Sequence, residues 1–536
     1  MTDQMLKNLA GLKRTAAASP RSAEAHYALA KALRTAQRYE EALTAAQRAV
    51  QLKPQYAEAL VLIAQLYRRK PDLDRALTFL QNAVSADARY APAYSEFGAI
   101  CLDLNRAEDA ANHFREALWL DASLAEAHVG LGNALRLSGR MKEAIESLLC
   151  AERTNPKSAS AQIVLGMIAD AEGRLDEAIR RFDLAASSAP ASAARYNRAL
   201  ALLRHGRFAE GWSAYEDRWS SPVFKVVRRH QQIPRWRGEE IADKQLLVWG
   251  EQGVGDEIIF STMIPDLIER KARVILECEP RLVPLFQRTW PEVEIAAERK
   301  LESQWVTVGA PKKKPEPRDG SRPAWLKGIQ FQIASGSLGE FFRPDFSSFP
   351  RRGPLLKPDL DRSARLRRDL LAVGPRNARL TVGISWLSNT PMAAAQKSTT
   401  LEAWMPILKE KNIRFVDLQY GDTAAERAEL ERRTGIGIAH PKDVDLTDDL
   451  DGVAALIAAC DLVISVSNTT VHLAGAVGAP VWGLMPPPTV QPWYWFTNRE
   501  DSPWYESARL FRPKTGETWS DVIKRAATEL RAYAKR

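Results

Sequence analysis

Residues 248–260 read VWGEQGVGDEIIF, an apolar run that stops at Gly250, crosses Gly253 and Gly255, and restarts as an apolar stretch with helical spacing. Leu246-Leu247-Val248-Trp249 has the composition of a buried strand, and Asp256 and Glu257 open the helix that follows. Strand, glycine turn and helix in that order mark a parallel α/β unit. The glycines suggest a phosphate loop, but there is no GxxxxGK[ST], and Ile258 stands where the third glycine of GxGxxG would fall. Two carboxylates at a helix N-terminus also repel an arriving phosphate. The stretch therefore argues against a P-loop nucleotidase and against a nicotinamide or flavin fingerprint. It leaves open whether the loop binds a nucleotide or does chemistry beside one.

The same alternation continues on either side. "QLLVWG" (245–250), "ARVILECE" (272–279) and "VEIAA" (293–297) read as strands, with "DEIIFSTMIPDLIERK" and "PRLVPLFQRTW" as helices between them. "PKKKPEPRDGSRP" (311–323) reads as an exposed loop, and 343–378 as a Pro- and Arg-rich linker in which "DLDR" (359–362) is a helix cap. A second series follows: "LTVGISW" (380–386), "IRFVDLQY" (413–420), "DLVISVSN" (461–468), "PVWGLM" (480–485) and a closing helix at 519–535. "PPPTVQPWYWFTNREDSPWYESARLF" (486–511) reads as a loop. Its Trp493 and Trp495, near the charged pair Arg499 and Asp501, pack either a base or sugar or the join between domains. Two βαβ series predict two Rossmann-like domains, 221–375 and 376–536, with a ligand in the cleft at the strand C-termini.

Upstream, the chain repeats every 34 residues. Ala42, Ala76, Ala110, Ala144 and Ala178 hold one register, and Ala49, Ala83, Ala117, Ala151 and Ala185 a second. Ala30, Ala64, Gly98, Gly132 and Gly166 hold a third, each preceded by an apolar residue. Small residues at fixed positions let antiparallel helices approach closely. The pattern resembles the tetratricopeptide repeat and implies an α-solenoid over 1–220 with about six units. In the sixth, Trp212 and Trp219 replace the two alanines, which reads as a cap docking onto the next domain. A solenoid groove suits a protein client; a dimerisation or spacing arm is the alternative, so a homodimer stays open. The asparagine ladder of eukaryotic O-GlcNAc transferases is absent: the matching positions are Ala28, Leu62, Glu96, Gly130, Val164 and Arg198.

The totals bound the partners. With 75 Lys plus Arg against 66 Asp plus Glu, the net charge of +9 over 536 residues is a mild excess. It fits an acidic ligand or surface, without the basic stripe of a nucleic-acid binder. The four cysteines are scattered without metal spacing and read as reduced, mostly buried thiols of a cytoplasmic protein. No run reaches 18 apolar residues and the N-terminus lacks a signal-peptide core, so no membrane span is expected. Neither HExxH nor GxSxG occurs, nor a DxD-like clamp after a strand; neither a metal nor a resident cofactor is expected.

"WGEQGVGDEIIFSTMIPDL" together with "DLVISVSNTTVHLAGAVGAPVWGLM" resembles the bacterial heptosyltransferase-like glycosyltransferases of GT-B fold. More closely, the chain is similar to bacterial tetratricopeptide-repeat proteins carrying such a domain, some of which modify flagellin. The resemblance spans roughly 20–220 and 240–535. It implies a metal-independent transferase in which Asp256 of the GD motif is the general base on the acceptor side, with Glu257 a weaker candidate. Gly253 and Gly255 would expose the base. The alternative for Asp256 is a plain helix cap. The family's D-T-[GS]-x-x-H-L-A reads Ser467-Asn468-Thr469-Thr470-Val471-His472-Leu473-Ala474, so a serine stands for the family's aspartate. The resemblance implies a pyrophosphate seat there, with Ser385 and Lys397 of "GISWLSNTPMAAAQKSTTLEAW" on the donor phosphates. His472 either binds phosphate or caps and packs. Donors implied by analogy include CMP-linked nonulosonic acids and UDP- or ADP-sugars, held as substrate. Three functions stay open: a transferase acting on a protein such as flagellin, a transferase acting on a lipopolysaccharide or other glycolipid, and a repeat scaffold with a degenerate transferase domain.

Overall fold

The computed structural model describes residues 3–189, 193–224, 226–297, 326, 328–373, 375, 377–388, 394–514 and 516–535. The basic stretch 311–323 lies outside them. The chain forms two compact units, one of residues 1–169 with 187–189, the other of 170–186 with 190–536.

The first unit is helical. Ala23–Thr35 pairs with Tyr39–Leu52, Ala57–Arg69 with Leu73–Ala86, Ala91–Asp103 with Ala107–Leu120, and Ala125–Leu137 with Met141–Thr154. The register alanines Ala42, Ala76, Ala110 and Ala144 are wholly buried, as are Ala49, Ala83, Ala117 and Ala151. Their smallness is needed. A Cβ on Gly98 would lie 2.9 Å from the Phe114 ring, and one on Gly132 would lie 2.5 Å from Leu148. Helix pairs turn through left-handed residues at the same spacing, Asn105 (φ 58°) and Gly139 (φ 78°).

The second unit contains the later repeat helices as well as the α/β part. Ala194–Arg204 and Phe208–Tyr215 bury Leu203, Phe208, Trp212 and Tyr215 in one core with Trp236, Leu246, Ile258 and Leu338. The expected solenoid boundary at 220 thus does not coincide with the compact division at 169–190. Trp212 explains the difference. Its indole N–H donates to the Arg343 carbonyl at 2.8 Å, and it packs so closely that a Cβ on Gly339 would lie 2.2 Å from it.

Two parallel sheets follow. The first holds β1 (Gln245–Trp249), β2 (Arg273–Cys278), β3 (Glu294–Ala297) and β4 (Phe331–Ala334) in the order β3-β2-β1-β4. The second holds β5 (Leu380–Ser385), β6 (Ile413–Asp417), β7 (Leu462–Val466), β8 (Val481–Leu484) and β9 (Ala508–Phe511) in the order β6-β5-β7-β8-β9. All pairings are parallel. The strand order reverses beside β1 and beside β5, which places crevices at the C-termini of those strands. Three elements differ from the sequence reading, the first being β4, which falls in a stretch that reading left unassigned. The segment 343–378 is more than a linker: it contains the helix Leu360–Ala372, which Asp359 of DLDR caps as read, accepting from the Arg362 N–H at 2.9 Å. The segment 486–511 ends in β9 rather than remaining a loop. All four cysteines are free, three of them buried. Among the described residues no helix is long and apolar enough to cross a membrane.

Candidate functional site

A cavity of about 650 Å³ opens at the strand C-termini of both sheets. The loop after β1 brings Gln252, Gly253, Gly255 and Asp256 to it, the segment after β5 brings Lys397, and the turn after β7 brings Ser467, Asn468, Thr469, Thr470 and His472. Of the residues singled out from sequence, Ser385, Glu257, Trp493 and Trp495 do not line it.

Asp256 sits in the first turn of helix Val254–Ser261, its carboxylate accepting the Gly253 N–H at 3.2 Å. Cap and cavity residue are therefore one and the same side chain. Burial raises its carboxyl to about 6; the Gly253 hydrogen bond and the charge of Lys397 oppose the rise, and Glu251 adds to it. Glu257 points the other way. It is buried, accepts the Glu279 N–H at 2.8 Å, and lies where a Cβ on Gly250 would be 2.6 Å from its carboxylate. It holds β1 to the residue after β2 and does not reach the cavity.

The glycines do a different job from the one expected. Gly253 has extended backbone (φ −113°, ψ 170°), and the left-handed residue of the turn is Gln252 (φ 66°). Gly255 is required by a close approach: a Cβ there would stand 2.9 Å from His472 Cδ2. Helix Val254–Ser261 and helix Thr469–Ala476 pack together at this point.

On the opposite side, Lys397 is buried, and its Nζ has no hydrogen bond or ion pair among the described residues. Burial lowers its pKa and the charge of Asp256 offsets part of that. A buried ammonium facing an open cavity suits an anionic ligand. The turn after β7 is more occupied. Asn468 caps the helix by accepting the Thr470 N–H at 2.9 Å and donates to Ser385 Oγ at 2.8 Å and the Leu387 carbonyl at 2.9 Å. Ser385 is wholly buried, donating to Gln419 at 3.0 Å; it positions Asn468 rather than meeting a ligand. Ser467 Oγ accepts the Trp495 indole N–H at 2.9 Å. His472 is buried, stacks on Trp495 at 4.9 Å, and shares a 3.1 Å hydrogen bond between its Nδ1 and the Tyr505 hydroxyl. Burial, aided by Lys397, lowers it to about 3, so it is a neutral imidazole. Trp493 packs on Trp212 at 5.3 Å; among the aromatics of that segment, Tyr494 lines the cavity.

Sequence reading missed Tyr196, Phe224, Arg281 and Tyr420, which also line it. Arg281 lies three residues past the end of β2 and donates to the Thr447 carbonyl at 2.9 Å; a cation shortly after a strand was a readable signal. Tyr196 belongs to a repeat helix, so nothing local marked it. Behind the Asp256 loop, wholly buried Arg218 pairs with Glu251 at 2.9 and 3.0 Å and with Glu216 at 2.8 Å, under the rings of Tyr215 and Trp219. Gln252 donates to the Tyr215 hydroxyl at 2.8 Å. The last repeat unit therefore holds the loop from behind. Among the described residues no cluster of His, Cys, Asp or Glu is arranged to hold a metal.

Comparison with known proteins identifies the repeats. The tetratricopeptide repeat family matches residues 9–57, 102–159 and 163–220. The family of anaphase-promoting complex, cyclosome, subunit 3 matches 35–117. The chain is 37% identical over 346 residues to Protein FlbA of Caulobacter vibrioides, a match covering 63% of this chain and 55% of that protein. The chain thus spans about half the length of the curated relative it matches. Among solved structures, a thermophilic tetratricopeptide-repeat protein of Thermus thermophilus is 26% identical, over 34% of this chain and 100% of its own, with a TM-score of 0.32. Pseudomonas aeruginosa pilF is 19% identical, over 37% of this chain and 86% of its own, with a TM-score of 0.30.

Proposed function

We propose that this chain is a metal-independent glycosyltransferase of GT-B architecture. It moves a sugar from a nucleotide-sugar donor, held by the 376–536 half, to a hydroxyl of a protein client recruited by the repeats. The reading rests on one observation: Asp256 and the unpartnered ammonium of Lys397 open from the two sheets into one cavity at the strand ends. A carboxyl near 6 is largely ionised at neutral pH and suits a general base. As the acceptor oxygen attacks the anomeric carbon, Asp256 takes its proton. The bond to the donor phosphate breaks, and Lys397 stabilises the charge that grows on the leaving nucleotide.

The test is calorimetric titration with CMP, UDP and ADP and their sugars. One of them is expected to bind, and Lys397→Ala to weaken it at least about tenfold, the loss expected for a charge-assisted contact, without a large fall in melting temperature. Binding unaltered by the substitution would remove Lys397 from the donor site. Flagellin is the first acceptor to offer.

A second reading, a repeat scaffold without chemistry, is favoured by the turn after β7. Ser467 is occupied by Trp495, and His472 is neutral. That reading predicts no nucleotide binding at all.

A further inference from the structure

At the end of β5 and β6 away from the cavity lies a second groove, of about 660 Å³. Arg379 and Asn412, the residues just before these strands, form part of its wall. Six cations line it, Arg379, Lys409, Lys411, Lys524, Arg531 and Lys535, against the single carboxylate Glu410. Glu410 is already paired with Arg531 at 2.6 Å. The other five cations are exposed and make no side-chain hydrogen bond or ion pair among the described residues. The local excess is more than half of the net charge of +9 carried by the whole chain. Such crowding of like charge is unfavourable unless an anion neutralises it.

An adjoining groove shares Lys409 and Lys411 and reaches Val373, with Glu431 as its further acid. Val373 is 47% exposed, and Leu371, two residues before it, is 53% exposed. Exposed aliphatic side chains beside unpaired cations suit a surface that is anionic at its face and apolar just beneath.

We infer that this basic face docks on an anionic lipid surface: the cations meet lipid phosphates while Leu371 and Val373 enter the headgroup boundary. A nucleic acid fits less well, because neither groove presents an exposed aromatic on which a base stacks. An acidic protein would satisfy the charges but leaves the two aliphatic side chains without a role. The face lies outside the cavity and does not depend on the transferase reading.

The test is co-sedimentation of the full chain with vesicles of phosphatidylcholine alone and of equal parts phosphatidylcholine and phosphatidylglycerol. Binding is expected only to the mixed vesicles, falling with added salt. Each of Lys409→Gln, Lys411→Gln and Lys524→Gln should weaken it about five-fold, and the triple variant about a hundred-fold. Leu371→Ser should weaken it while leaving the salt dependence unchanged. These positions are exposed, so circular dichroism is expected to report an unaltered fold. Absence of binding to mixed vesicles, binding unchanged in the folded triple variant, or capture by polyglutamate but not by vesicles would each overturn the inference. Nucleotide titration of the triple variant keeps this outcome separate from the donor site, since it should match the wild type.

Discussion

Burial disfavours charge on Asp256 and on His472 alike, with opposite consequences for chemistry and for stability. Asp256 is raised from 3.8 to about 6, so the folded state holds its proton more tightly than the unfolded chain. Stability should fall as pH rises between those values, and the full cost stands above about pH 6. The shift corresponds to at most ~3 kcal/mol, reduced by water reaching the cavity. Asp256→Asn keeps an oxygen for the Gly253 N–H but loses the ionisable group. It should melt no lower than the wild type at pH 8, bind nucleotide equally, and transfer about 10²- to 10⁴-fold more slowly. Full transfer by this variant would leave the residue as a cap only. Wild-type transfer should fall below about pH 6 as the base is protonated. His472 is lowered from 6.5 to about 3, so the unfolded chain binds the extra proton. Its contribution to stability should be complete above pH 6.5 and drain away on acidification. Thermal melts of His472→Gln against wild type at pH 4 and pH 8 test this: the substitution should flatten the acid limb.

Between elements, the closest contact at the site is helix Val254–Ser261 against helix Thr469–Ala476, through Gly255 and His472. Gly255→Ala gains about 0.5–1 kcal/mol of helix preference. Yet its Cβ would stand 2.9 Å from an imidazole backed by Trp495, so overpacking of about 1–3 kcal/mol should win. A lower melting temperature is expected, with partial rescue in Gly255→Ala/His472→Ala; an unchanged or raised melting temperature would show that the helices yield. The pair Arg218–Glu251 ties the 3₁₀ turn Glu216–Ser220 to the Asp256 loop. Arg218→Leu leaves two carboxylates behind and should cost about 3–5 kcal/mol, read as a fall in the urea midpoint. Elements of this kind were legible where pattern is local. β1, β2, β5 and β7 stood out because strands buried on both faces are continuous apolar runs. β4 and β9 did not: β4 is a four-residue run interrupted by the polar Gln332, and β9 lies in a segment dense with proline and aromatic side chains. The site was legible to the same extent. Asp256 and the helix start at 469 were marked by position after a strand, and Lys397 only by its place in a segment that resembles the transferase family. That Glu257 and Ser385 turn inward depends on partners 22 and 34 residues away.

At the scale of the whole chain, the repeat period reads as one solenoid over 1–220, but the period does not determine which core each helix serves. Trp212, Phe208 and Tyr215 belong to the core that carries β1 and helix Val254–Ser261. Arg204 donates to the Gln491 carbonyl at 2.9 Å, and its partner Asp170, 2.8 Å away, lies just inside the same compact unit. Two truncations that look alike by repeat count should therefore behave differently. A fragment of residues 170–536 retains Asp170, Arg204, Trp212 and Arg218 with everything they touch in that unit. It should unfold in one cooperative transition, bind nucleotide as the full chain does, and lose modification of the client. A fragment of residues 221–536 removes Tyr196 from the cavity wall, strips Arg218 from Glu251, and exposes the pocket beside Gly339 that Trp212 fills. Burying those aromatics contributes about 1.5–3 kcal/mol each, against a total stability of about 5–15 kcal/mol. The shorter fragment should aggregate or melt without a cooperative transition. If it folded and bound nucleotide like the longer one, the last repeat unit would be a separable cap rather than the back wall of the site.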